Sequence, residues 1–176
     1  MKVLTGGALA AMLITTGVLS AGPRGALAAT ATSPQSATSE LTGVWTLDYS
    51  DIIHPDGSRE HDYGEKPIGL LIIDASGNYS QQIFDTARPK FAAGDKAKGT
   101  AEEYRSATIG ASSHFGTVTV DEAKHVLTYK VAGSTYPNQE GATQNRFYTL
   151  TDGILINKQA PRSNGDVPVT EWRRLR

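Results

Sequence analysis

Between residues 67 and 120 the local signals follow an order that leaves few folds open. Residues 67–84 read PIGLLIIDASGNYSQQIF: an apolar run, a Ser76-Gly77 turn and a second strand-like run. Two such runs about a short Gly-containing turn make a β-hairpin. Residues 85–107 then hold a basic-polar loop and, from Thr100-Ala101-Glu102-Glu103, the start of a helix. That quartet is a capping box, with the threonine hydroxyl accepting from the Glu103 amide and the Glu103 side chain reaching back. It predicts one short helix ending near Ile109 or Ser112. At residues 114–120, HFGTVTV returns to strand. A sheet interrupted once by a helix is a small β-barrel with a single insertion, and its interior can hold a ligand.

The rest of the chain supplies the other walls. In residues 44–49, Val44, Thr46 and Asp48 alternate with Trp45, Leu47 and Tyr49, which predicts that the large apolar side chains share a face. His54-Pro55-Asp56-Gly57 is a turn. A short polar strand is expected over residues 59–63. Residues 68–74 are continuously apolar, as in a strand buried on both sides or set in a barrel wall. After residues 79–84 and the helix come runs at 114–120, 126–132, 146–150, 154–157 and 169–173. The fold class is therefore all-β, a single antiparallel barrel of about eight or nine strands with one short helix. Closure removes exposed edges. Eight strands leave an interior wide enough for packed side chains or one small ligand. Trp45 and Trp172, near the first and last strands, are expected at the closing seam.

The same pieces carry a family resemblance. Gly43-Val44-Trp45, Pro67-Ile68-Gly69-Leu70-Leu71, Ser76-Gly77, Arg88-Pro89-Lys90-Phe91 and Gly99-Thr100-Ala101-Glu102-Glu103 come first. Phe115-Gly116-Thr117, Pro137-Asn138, Gly141, Gln144, Arg146 and Glu171-Trp172-Arg173-Arg174 follow. In this order and spacing they resemble the lipocalin-like domain family, a group of small bacterial and fungal β-barrels. The resemblance covers the chain from about residue 41 to its end. It implies the barrel fold and little about chemistry. At His114 the resemblance implies a tyrosine, and near Tyr129 a histidine, so polar character is partly exchanged between two strands.

Residues 1–28 open with a short basic start, Met1-Lys2, run through an Ala/Leu/Gly-rich apolar stretch and end in Ala26-Leu27-Ala28, a small-x-small cleavage site. They are expected to be a secretory signal peptide. The threonines and glycines that dilute the stretch argue against a membrane anchor. Residues 29–40 are Ser/Thr/Ala-rich and are expected to be a disordered leader. Residues 41–176 are the lipocalin-like β-barrel domain. The protein is thus expected to be exported, periplasmic or secreted, with no membrane insertion after cleavage. Removing residues 1–28 takes Lys2 and Arg24 from the 17 basic residues and none of the 18 acidic ones. A net acidic chain without a polybasic block is a poor nucleic-acid or anionic-membrane binder. No cysteine is present, so neither disulfides nor thiolate chemistry contribute.

Familiar catalytic signatures are missing: no Gly-x-Ser-x-Gly elbow, no His-Glu-x-x-His helix, no phosphate loop around Gly94-Asp95-Lys96. No cofactor is expected. His54, Asp56, Glu60, His61 and Asp62 crowd one turn-rich stretch, but their spacing follows no recurring metal site, and no metal is expected. Arg88 points either across the barrel mouth to an anionic ligand group or to a loop carboxylate, Asp85 or Asp95. His114 stands where helix gives way to strand. It is either an interior acid or base or a histidine bonded to backbone. Tyr129 is its expected cross-strand neighbour. Tyr136, Asn138, Gln144 and Arg146 flank a loop over one barrel end and can fix a ligand's polar atoms, while Arg146 can equally pair with a carboxylate.

These readings make the chain an exported lipocalin-like protein that binds a small apolar or amphipathic molecule inside its barrel. The ligand-binding candidates are Arg88, His114, Tyr129, Tyr136, Asn138, Gln144 and Arg146. The alternative is a cofactor-free isomerase, cyclase or lyase that moves a proton between His114 and Tyr129.

Overall fold

The computed structural model describes residues 40–176. The expected signal peptide and leader lie outside the described residues, Glu40 excepted.

Nine strands and one α-helix follow in chain order: β1 Gly43–Ile53, β2 Arg59–His61, β3 Ile68–Ile73, β4 Asn78–Phe84, α1 Ala101–Ile109, β5 Ala111–Asp121, β6 Val126–Ser134, β7 Thr143–Thr151, β8 Ile154–Gln159 and β9 Val167–Arg174. Every strand pairs antiparallel with its neighbour in the order β2-β1-β3-β4-β5-β6-β7-β8-β9, and β1 also pairs with β9. That last ladder closes eight strands into a barrel, with β2 appended to the far end of β1. The antiparallel barrel, the strand count and the single helix agree with the sequence. The helix carries the expected capping box, Thr100 Oγ1 accepting from the Glu103 amide at 3.2 Å and Glu103 from the Thr100 amide at 2.6 Å. It is exposed and buries no residue.

The two barrel ends differ. At one, tight turns join β3 to β4, β5 to β6 and β7 to β8, with Gly77 and Gly153 at φ of 81° and 78°. This end is shut. Leu41 is buried there, and the Arg174 guanidinium lies 4.1 Å from the Trp45 ring centroid and donates to the carbonyls of Thr42 and Glu40. At the other end long connections cross between strands, including the segment that carries α1.

Alternation along each strand fills the interior near the shut end. Trp45, Leu71, Ile73, Val118, Val120, Leu127, Leu155 and Trp172 are all at most 1 % exposed. Trp45 and Trp172 are diagonal neighbours across the β1–β9 ladder, where Leu47 opposes Trp172. The seam is therefore sealed by two indoles, whose Nε1 groups donate to the Leu41 carbonyl and to Thr170 Oγ1.

One sequence expectation is corrected, and one pair of alternatives is resolved. A register shift between Leu47 and Tyr49 breaks the alternation of β1. Tyr49 turns to the outer face under Arg59, whose guanidinium carbon stands 4.7 Å from its ring, and Ser50 turns inward. A bulge adds one residue, so everything beyond it changes face. Of the two readings open for strand β3 the second holds, since Leu71 and Ile73 face in while Ile68 and Ile72 are exposed. It is a barrel wall, with solvent outside.

Candidate functional site

Toward the open end the inward positions stop being apolar. Gln81 on β4, His114 on β5, Arg146 on β7, Asn157 on β8, Thr170 on β9 and Ser50 on β1 are all buried, and Tyr129 on β6 is fully so. Each occupies the inward phase of its strand, so the backbone places it rather than any loop.

Arg146 organises this layer. Its Nη1 donates to Gln81 Oε1 at 2.8 Å, and its Nη2 donates to Gln144 Oε1 at 3.1 Å and to His114 Nε2 at 3.3 Å. The guanidinium carbon stands 4.6 Å from the centroid of the Tyr129 ring, a cation–π contact. Among the described residues no carboxylate lies within ion-pair distance of it. Arg146 is thus a buried cation held by neutral groups, which is electrostatically costly. Its Nε has no hydrogen-bond partner, and neither has the Tyr129 hydroxyl or the side-chain amide of Asn157.

His114 is locked on both sides. Because Nε2 accepts from Arg146, the ring proton sits on Nδ1, which donates to the Tyr79 hydroxyl at 2.9 Å. Burial, and secondarily the charge of Arg146, lowers its pKa to about 3. Burial likewise raises Tyr79 to about 12, against the lowering effect of Arg146. Both groups are neutral across the physiological range. His114 and Tyr129 share the interior with ring centroids 6.5 Å apart, edge to face. They are joined through Arg146 and Tyr79 rather than by a mutual hydrogen bond.

The structure separates the remaining candidates. Arg88 lies at the open end of β4, where its Nε donates to the Asp85 carbonyl at 2.8 Å and its guanidinium covers Phe84 at 4.7 Å. Its partners are a backbone oxygen and a ring, not a side-chain carboxylate. Tyr136 and Asn138 are exposed in the β6–β7 connection. Tyr136 borders a cleft of about 330 Å³ at the open end, with Tyr63, Thr108, Ile109, Ser112 and Gln139 among the other walls. Ser112 stands two residues from His114 on the same side of β5, so the cleft adjoins the polar layer. A larger cleft of about 640 Å³ lies at the shut end, lined by Asp152, Gly153 and residues 173–176. None of the unpartnered buried groups lines either cleft; the smaller one is the one that reaches, through Ser112, the strand carrying His114.

The histidines of the turn-rich stretch belong to two separate clusters. His54 Nδ1 bonds Asp166 at 2.8 Å, and His61 Nδ1 bonds Asp51 at 2.8 Å. The neighbouring carboxylates raise the pKa of each. Asp51 also pairs with Arg59 at 2.6 Å, a fastening of β2 onto β1.

Gln81, Asn157, Tyr63 and Tyr79 were not anticipated as part of this site. The signal for two of them was in the pattern: Gln81 shares a phase with Tyr79 and Ile83, and Asn157 with Leu155. A polar residue in an inward phase is a candidate by that fact alone.

A family model described as a lipocalin-like domain matches residues 42–174 of the chain. No curated protein and no solved structure matches it.

Proposed function

The chain belongs to the lipocalin-like domain family, and on that footing we propose that it is an exported protein that binds a small, partly apolar molecule within its barrel. The observation that carries this reading is the division of the interior. One half is solidly packed with apolar side chains, and the other holds buried polar groups with unused hydrogen-bonding capacity, with a cleft at the same barrel end lined by Tyr63, Ser112 and Tyr136. Ligand sites combine apolar walls with a few placed polar groups. Affinity comes from desolvating the ligand's apolar part, at about 25 cal/mol per Å² buried, and Tyr63 and Tyr136 supply ring surface at the entrance. Export follows from the signal-like residues 1–28.

Binding is favoured over catalysis by the state of His114. Both of its ring nitrogens are occupied and burial keeps the ring from taking up a proton, whereas a general base needs a lone pair facing substrate and a pKa near the working pH. The test is native mass spectrometry of protein purified from its host, with a thermal-shift screen of small amphipathic molecules. A co-purifying mass, or a Tm rise of several degrees at saturating ligand, is the expected outcome. A protein that carries nothing and that no member of the screen stabilises refutes the reading.

A further inference from the structure

The polar layer is chemically lopsided. Arg146, 3 % exposed, is surrounded by Gln81, Gln144, His114 and Tyr129, and none of these carries negative charge. A buried guanidinium ordinarily meets a carboxylate or phosphate, because its fork of five N–H donors fits an anion and its desolvation needs one. Here three donor contacts reach neutral acceptors, and Nε is left without a partner.

The other unpartnered groups stand close by. Tyr129 is on β6, Arg146 on β7 and Asn157 on β8, three adjacent strands. Asn157 opposes Tyr148, two residues along β7 from Arg146, so it is Arg146's diagonal neighbour on the inner face. Its side chain stands close enough to the Tyr129 hydroxyl to interact with it, yet Nδ2, Oδ1 and the hydroxyl all lack a partner at full hydrogen-bond geometry. Nε–H of Arg146, O–H of Tyr129 and Nδ2–H of Asn157 are all donors, and each is at least nine-tenths buried. Buried polar groups are normally satisfied, so an unused donor on an unpaired cation and two more beside it have a common explanation.

We propose that this triad, Arg146, Tyr129 and Asn157, is the binding site for the anionic head of the ligand, and that the ligand is a carboxylate-bearing amphipath. The inference rests on the binding reading above and specifies its ligand class. Arg146 supplies the charge, Tyr129 and Asn157 complete the donor set, and the ligand's apolar part extends toward Tyr63 and the cleft. His114 positions rather than binds. Taking one Nη2 hydrogen bond, it helps to fix the guanidinium in place, and its neutrality avoids a second positive charge.

The test uses octanoate, 1-octanol and octylamine at pH 7, measured by titration calorimetry on the intact protein. Octanoate is expected to bind at least tenfold more tightly than octanol, about 1.4 kcal/mol, and octylamine not at all. Arg146→Met is expected to remove that preference, with octanoate weakened tenfold or more and octanol changed less than twofold. Circular dichroism and Tm establish that the variant is folded. Should it not fold, Tyr129→Phe and Asn157→Leu serve instead, each weakening octanoate severalfold and by more than it weakens octanol. Equal affinity for octanoate and octanol in the wild type overturns the anion site and leaves the binding reading standing. Binding of screened ligands without any binding of octanoate also overturns it. A protein that binds nothing overturns both.

Discussion

At the level of single residues, the interior sets protonation states that solution chemistry would not. His114 stays neutral because burial disfavours its cation and Arg146 adds repulsion. The unfolded chain takes up a proton near pH 6.5, but the folded chain does so only near pH 3. Between those values the unfolded state binds more protons, so stability rises with pH through the window and is lost as pH falls through it. His54 and His61 act in the opposite sense. Asp166 and Asp51 raise their pKa values, so their contributions are full below the ordinary histidine range and fade as pH rises through the raised values. His114→Gln is therefore expected to flatten the acid limb. Urea midpoints should show the wild type losing roughly 1–3 kcal/mol more than the variant between pH 6.5 and 4.5. Parallel acid limbs would mean that His114 is already charged in the fold. Arg146 was also read as a partner for a carboxylate, and the reason it has none is positional. The inward phases facing it hold Gln81, His114 and Tyr129, and the carboxylates nearest in sequence point outward.

At the level of elements, backbone proximity decides what a strand tolerates. Strands β5 and β6 shift register between Phe115 and Gly116. A Cβ on Gly116 would lie 2.0 Å from the Lys130 carbonyl oxygen and 2.9 Å from the Ala132 amide. No rotamer relieves a clash with backbone. Gly116→Ala is expected to cost roughly 1–3 kcal/mol and to lower amide-exchange protection along β5 and β6 before the other strands. Protection lost evenly around the barrel would point to a different cause. The helix is the converse case. Its capping box was legible because the pattern needs only four consecutive residues, and it formed as read. The strands were legible for the same reason, since alternation is local. Tyr49 was misplaced because a bulge depends on the partner strand and leaves no mark in the sequence of β1.

At the level of the whole molecule, closure is the decisive event. The β1–β9 ladder joins residues more than a hundred positions apart and buries Trp45 and Trp172 at one seam. Trp172→Ala removes a fully buried indole and its bond to Thr170. It is expected to cost about 3–5 kcal/mol, read as a lower urea midpoint with the same slope. A shallower slope would show that the seam had opened and the barrel no longer unfolded as a unit.

The sequence alone determined the strands, the helix and its cap, the closing tryptophans and the barrel class, because each rests on short-range periodicity or on spacing within a few residues. Only the tertiary structure decided which polar side chains meet. Arg146 and Gln81 are 65 residues apart, and Arg146 and His114 are 32 apart. Their contact depends on how the closed ladder staggers one strand against the next. Stagger is a property of the whole ring of strands, and no single segment encodes it.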